Sequence, residues 1–139
     1  MKTAMALSAD DRSRLIGAAR TVIEKAYAPY SKFRVGAALL TENGQIIAAC
    51  NVENASISLS ICAERAAIFS AIAKVGSENI KIKAIAVLNE RNIPCSPCGA
   101  CRQVIAEFAS NAIILFQGMH EIEEITILEL LPKPFLSYE

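Results

Sequence analysis

The sequence predicts an α/β sandwich around a mixed five-stranded sheet. Three observations carry this expectation: a helical periodicity opens the chain, an Asn-Gly pair joins two short apolar runs, and helix-length and strand-length apolar segments then alternate. Ser8-Ala9-Asp10-Asp11 has the composition of a helix N-terminal cap. Leu15, Ala19, Val22 and Ala26 follow on one face, which predicts a helix over 9–27. Pro29 ends it, because proline lacks an amide hydrogen and pushes the preceding residue out of the helical region. Strands are expected over 33–40 and 45–50, joined by Thr41-Glu42-Asn43-Gly44, whose Asn-Gly pair accepts the positive backbone angles of a tight hairpin. The polar stretch 51–60 reads as an irregular segment that delivers side chains instead of packing a core. From 61 to 75 apolar residues occur all round the helical wheel, which predicts a central, buried helix. Residues 81–88 form the third expected strand, Pro97 suits the first turn of a helix over 98–109, and 112–116 is the fourth strand. A turn at Gly118-Met119-His120 leads to a fifth strand over 122–126 and a short helix over 128–131 closed by Pro132.

The 139 residues fit one domain spanning 1–139. Lys and Arg number 14 and balance 14 Asp and Glu, so no basic excess drives counterion release, and nucleic acid is not an expected partner. Apolar residues make up 53%, which argues against disorder and for apolar surface shared between subunits of a homo-oligomer. No apolar run reaches the roughly 18–20 residues of a bilayer span, and residues 1–7 are too short a hydrophobic start for export. The expected location is the cytoplasm, with no membrane partner. Five cysteines without an export signal point away from disulfides and toward metal or redox chemistry.

Cys62 opens one expected helix, and Cys98 and Cys101 open the next. Unpaired amides and the positive end of a helix dipole stabilise thiolates there, and three such sulfurs suit zinc with one coordination position left open for catalysis. Glu64 stands among alanines and isoleucines, where packing gives its charge no reason to be. A carboxylate beside metal-activated water takes a proton from the nucleophile and hands it to a leaving nitrogen. Three thiolates on a dication leave a net charge of −1, and Arg65 and Arg102 adjoin the ligands to compensate it. Asn51, Glu53 and Asn54 form a candidate sugar-recognition strip; turn capping or a solvated surface is the alternative for each. Two other readings of the thiols stand beside this one: a redox pair Cys98 and Cys101, and a structural zinc site that adds Cys95. Cys50 reads as an inert core thiol and His120 as a surface turn residue.

Taken together, Asn51-Val52-Glu53-Asn54-Ala55-Ser56, Cys62-Ala63-Glu64-Arg65 and Ser96-Pro97-Cys98-Gly99-Ala100-Cys101-Arg102-Gln103 closely resemble the small homotetrameric zinc-dependent cytidine deaminases. The likeness extends from Tyr27-Ala28-Pro29-Tyr30-Ser31-Lys32-Phe33 through Val35-Gly36-Ala37-Ala38 to Leu130-Leu131-Pro132 and Phe135. It implies a three-layer α/β/α sandwich with one Zn2+ per chain on Cys62, Cys98 and Cys101, cysteine taking the place where other zinc deaminases have histidine. It also implies that Glu64 shuttles protons, that Asn51 and Glu53 hydrogen-bond the ribose, and that Phe33 packs against the pyrimidine. Ala63 would complete the substrate contacts, and Arg65 would donate hydrogen bonds to the thiolates. Phe135 would reach a neighbouring subunit's pocket, giving a homotetramer with shared active sites. The implied reaction is hydrolytic deamination of cytidine and 2′-deoxycytidine to the uridines plus ammonia, by zinc-bound hydroxide attack at C4, in pyrimidine salvage. A modified cytosine nucleoside such as an antibiotic is the neighbouring alternative, while nucleic-acid editing is disfavoured by the balanced charge. Ile57 departs from the pattern, standing where many relatives carry a tyrosine at an inter-subunit contact.

Overall fold

A computed structural model describes residues 7–137. Apart from Leu7, the opening segment considered above for export lies outside those residues. The elements are α1 (Ala9–Val22), β1 (Val35–Thr41), β2 (Ile46–Cys50), α2 (Ala63–Val75), β3 (Ile82–Asn89), α3 (Gly99–Phe108), β4 (Ile113–Gln117), β5 (Ile122–Thr126) and α4 (Ile127–Leu130). The sheet runs in the order β2-β1-β3-β4-β5, with β3 and β4 parallel and every other pair antiparallel. Successive strand residues face opposite sides of a sheet. Ala38, Leu40, Ala84, Ala86 and Leu115 therefore pack with Leu15 and Ala19 of α1. Ala37, Leu39, Ile85, Val87 and Ile114 pack on the other face with Ala67 and Ile68 of α2 and Ile105 of α3. The expected three layers result, and β1, β3 and β4 read as near-continuous apolar runs because both their faces are covered.

Ser8 caps α1, its hydroxyl accepting from Asp11 N at 3.1 Å. The α-helix stops at Val22 and tightens into a 3₁₀ turn over Ile23–Lys25, short of the expected 27. Tyr27 explains the difference: its N–H donates to Asn51 O at 3.0 Å and its carbonyl accepts from Glu53 N at 2.8 Å, so its backbone serves the 51–53 segment instead of the helix. The hairpin also differs from expectation. Only Gly44 has a positive φ, at +90°, while Gly44 N donates to Thr41 O at 3.0 Å, so one left-handed residue turns the chain and Asn43 is not needed in that conformation. The all-round burial expected of α2 does not hold: Ala67, Ile68 and Ala71 are buried, but Phe69 on the opposite side is 45% exposed. Cys50, expected in the core, is half-buried because β2 is an edge strand. At the other edge, β5 exposes Glu123 and Glu124, and Glu124 pairs with Arg12 of α1 at 2.7 Å.

Gly36 is where α1 lies closest to the sheet. A Cβ there would stand 2.2 Å from Ala19 O and under 3 Å from carbons of both Ile23 and Val22. Backbone cannot yield as a flexible side chain does, so Gly36→Ala should destabilise the fold by about 3 kcal/mol or more, the upper range for overpacking. Thermal unfolding checks this; an unchanged melting temperature would show that α1 can lift off the sheet at little cost.

Candidate active site

The C-terminal end of β3, the entry to β1 and the exit of β2 meet at one end of the sheet, and the starts of α2 and α3 face them. Ligand sites in α/β folds form beyond strand carboxyl ends for this reason. A cavity of about 500 Å3 opens there, and Phe33, Asn51, Glu53, Cys62, Ala63, Glu64, Arg65 and Cys98 all line it. Ser31, Ile57, Val87 and Cys95 complete much of the remaining wall.

Cys62 and Cys98 are the N-cap residues of α2 and α3, both with extended backbone, and Cys101 lies fully buried in the first turn of α3. The three Sγ atoms lie within 4.8 Å of one another, with Cys62 and Cys98 4.0 Å apart. Tetrahedral zinc with Zn–S bonds of ~2.3 Å needs sulfurs about 3.8 Å apart, so the trio accommodates the ion with small shifts. No fourth Cys, His, Asp or Glu joins the group among the described residues. The donor set thus leaves a coordination position open, as catalytic rather than structural zinc sites do. Cys95 lines the cavity yet stands outside the sulfur cluster, and burial pushes its thiol up. His120 is exposed in the turn after β4.

On an ideal helix, residues two apart diverge by roughly 200°. Cys62 escapes that limit because an N-cap precedes the helical wheel, which leaves Glu64 free to share the cavity with it. The Cys62 thiol is held down to about 5, first by hydrogen bonding with Cys101 and then by the Arg65 guanidinium, whose Nη2 donates to Cys62 Sγ at 3.3 Å. Cys101 moves up in turn, through the same hydrogen bond and through burial. Glu64 is only 5% exposed, and desolvation pushes its carboxyl up to about 7. Arg102 does not join Arg65 at the sulfurs. Its guanidinium donates to Pro97 O at 2.7 Å, Leu130 O at 2.9 Å and Ser96 Oγ at 2.9 Å, tying α3 to α4 and to the loop before it.

Val52 forms isolated bridges with both Tyr27 and Ile61, which stretches residues 51–53 like a strand. Alternation then gives Asn51 and Glu53 to the cavity and leaves Val52 out of it. Asn51 Nδ2 donates to Phe33 O and its Oδ1 accepts from Val35 N, both at 2.9 Å. Glu53 accepts from the Tyr30 and Ser31 amides at 3.1 and 3.0 Å and from the Ser31 hydroxyl, and that hydroxyl is the chief cause of its lowered pKa. Ser31 is thus a contributor that periodicity could not reveal, since its role depends on a residue 22 positions away. Asn54 lies outside the cavity wall and caps its own turn, accepting from Ser56 N at 2.9 Å. Phe135 is also outside this cavity. It is 56% exposed, and the Gln103 side-chain amide pairs with both its backbone groups, at 2.6 and 3.1 Å.

Three clustered thiols with one coordination position to spare, set against a buried carboxylate, are the donor set that a zinc-dependent hydrolase uses. Comparison with known proteins narrows the class. The family model described as the cytidine and deoxycytidylate deaminase zinc-binding region matches residues 9–117. A cytidine deaminase of Sporosarcina psychrophila is 47% identical over 135 residues, covering 92% of this chain and 96% of its own, and one of Halalkalibacterium halodurans is 46% identical over 129 residues, covering 91% and 96%. The crystal structure of a cytidine deaminase from Burkholderia pseudomallei superposes with a TM-score of 0.79 at 44% identity, covering 88% of this chain and 98% of that one. The chain belongs to the cytidine deaminase family. No helix among the described residues is long and apolar enough to cross a membrane.

Proposed function

We propose that this protein hydrolytically deaminates cytidine and 2′-deoxycytidine to the uridines and ammonia, as a single-domain cytoplasmic enzyme of pyrimidine salvage. The observation that carries the reading is Glu64, a buried carboxylate in the cavity wall beside three clustered sulfurs. Cys62, Cys98 and Cys101 would hold zinc, which when bound supplies a Lewis acid and a water made acidic enough to attack at neutral pH. Glu64 takes a proton from the attacking water as the bond to C4 forms and returns it as the C4–N bond breaks and ammonia leaves. Arg65 offsets the charge of the Cys62 thiolate. Phe33 packs against the pyrimidine, and Ala63 adds a wall too small to crowd the ring. Asn51 spends one amide hydrogen and one lone pair on the backbone and keeps the others for ribose. Glu53 has about four acceptor sites, three already engaged, and offers the remainder to a ribose hydroxyl. Zinc analysis with an ultraviolet assay on cytidine, 2′-deoxycytidine, cytosine, CMP and adenosine tests the reading. About one zinc per chain and turnover of the two cytosine nucleosides are expected; a metal-free protein, or one inert on both nucleosides, sinks it.

The same reading includes a homotetramer with shared sites. Supporting it are the exposed Phe69 on α2, Ile57 and Leu59 at 70% and 71% exposure beside the cavity, and a C-terminal segment that carries Phe135 away from its own cavity. Phe135→Ala should lower kcat/KM roughly tenfold or more, the scale of one lost aromatic burial, while leaving subunit melting nearly unchanged. Light scattering should report a tetramer, and a fully active monomer at micromolar concentration would remove the shared site.

A further inference from the structure

Arg91 is exposed and outside the cavity wall, and no step above uses it. Its guanidinium carbon nonetheless stands over the Phe33 ring, 5.3 Å from the centroid, and its Nη2 donates to Lys32 O at 2.6 Å. The base of this arm is held as firmly as its head. Asn89, 2% exposed at the end of β3, accepts from Arg91 N at 3.1 Å and from Ile93 N at 3.2 Å, and donates to Ile93 O at 2.8 Å. Glu90 N adds a bond to Arg34 O at 3.1 Å. Lys32 itself has φ +58°, a left-handed conformation that a lysine keeps only where neighbours hold it, and Arg91 binds the carbonyl of that residue. A planar cation is therefore laid on Phe33 from outside, while the same ring faces the cavity from inside.

We propose that Arg91 is the positioning residue for Phe33, backing the ring so that its orientation is set before the base of the nucleoside arrives. This rests on the Phe33 role given under the proposed function. A ring already fixed loses less freedom when the pyrimidine packs on it, so the benefit falls on nucleoside binding and not on proton transfer at Glu64. Steady-state kinetics on cytidine with Arg91→Met, Arg91→Lys, Phe33→Ala and the Arg91→Met/Phe33→Ala double variant tests this, with melting temperatures recorded alongside. Arg91→Met keeps an unbranched stem and the main-chain bond to Asn89 while removing the guanidinium and its bond to Lys32 O. It should raise KM roughly three- to tenfold, the scale of one cation–π contact, with kcat within about twofold. Arg91→Lys keeps a cation without the planar fork and should recover part of that loss. In the Phe33→Ala background, Arg91→Met should add less than about twofold, because the contact it serves is already gone. Equal effects in both backgrounds, or a fall in kcat with KM unchanged, overturn the positioning role. A defect in Phe33→Ala without one in Arg91→Met rejects the Arg91 assignment alone, whereas a normal KM in Phe33→Ala rejects the Phe33 reading and the Arg91 role with it.

Discussion

Glu64→Gln is expected to retain zinc, fold and cytidine binding while losing turnover by at least ~10²–10⁴-fold. Glutamine fills the same volume and can hydrogen-bond, but an amide cannot accept a proton at one step and release it at the next. Burial sharpens the effect, because Glu64 is only 5% exposed and bulk water has little access to replace it. Metal analysis, a binding titration and single-turnover rates separate the two halves of the expectation. A variant that keeps more than about a tenth of the activity removes Glu64 from the proton relay, and one that loses zinc recasts it as a prop for the metal.

Cys98→Ser should leave less than about 0.1 zinc per chain and abolish activity, since a serine hydroxyl stays protonated where a thiolate must coordinate. Cys95→Ser should leave metal content near that of the parent, because Cys95 stands outside the cluster. Stability should fall as well. Cys62 and Cys98 are 36 residues apart, so an ion held by both closes a loop around β3, worth about 4 kcal/mol if it behaves as other cross-links of that length do. Chelation of the unaltered chain should lower its melting temperature in the same direction. Should Cys98→Ser hold zinc as the parent does, the ligand assignment fails.

The elements that could be read directly from sequence are those whose burial imposes a period. Every expected strand and helix is present, and β5 matches its expected bounds residue for residue. The chemistry was legible for a related reason, since cysteines at helix starts and a lone carboxylate in an alanine-rich helix are departures that packing does not explain. The misreadings share another cause. α1 ends early because the backbone of Tyr27 bonds to residues 51 and 53, and backbone bonds between distant segments leave no mark in side-chain pattern. Adjacency to Cys101 points Arg102 at the sulfurs, yet three oxygens from two other segments claim its guanidinium. The outer side of α2 is apolar in sequence yet exposes Phe69, because hydrophobicity alone does not separate an interior from an apolar surface.

The acidic edge strand has a consequence for how copies of this chain can meet. Two β5 edges paired antiparallel about a two-fold axis through Glu123 or through Glu124 would set that glutamate opposite its own copy, because paired residues share a face of the sheet. Like charges directly opposed across strands repel. That edge therefore disfavours the strand-to-strand stacking that open sheets invite. The exposed Phe69 on α2 is a surface of the opposite kind, an apolar side chain whose burial against another surface would be favourable.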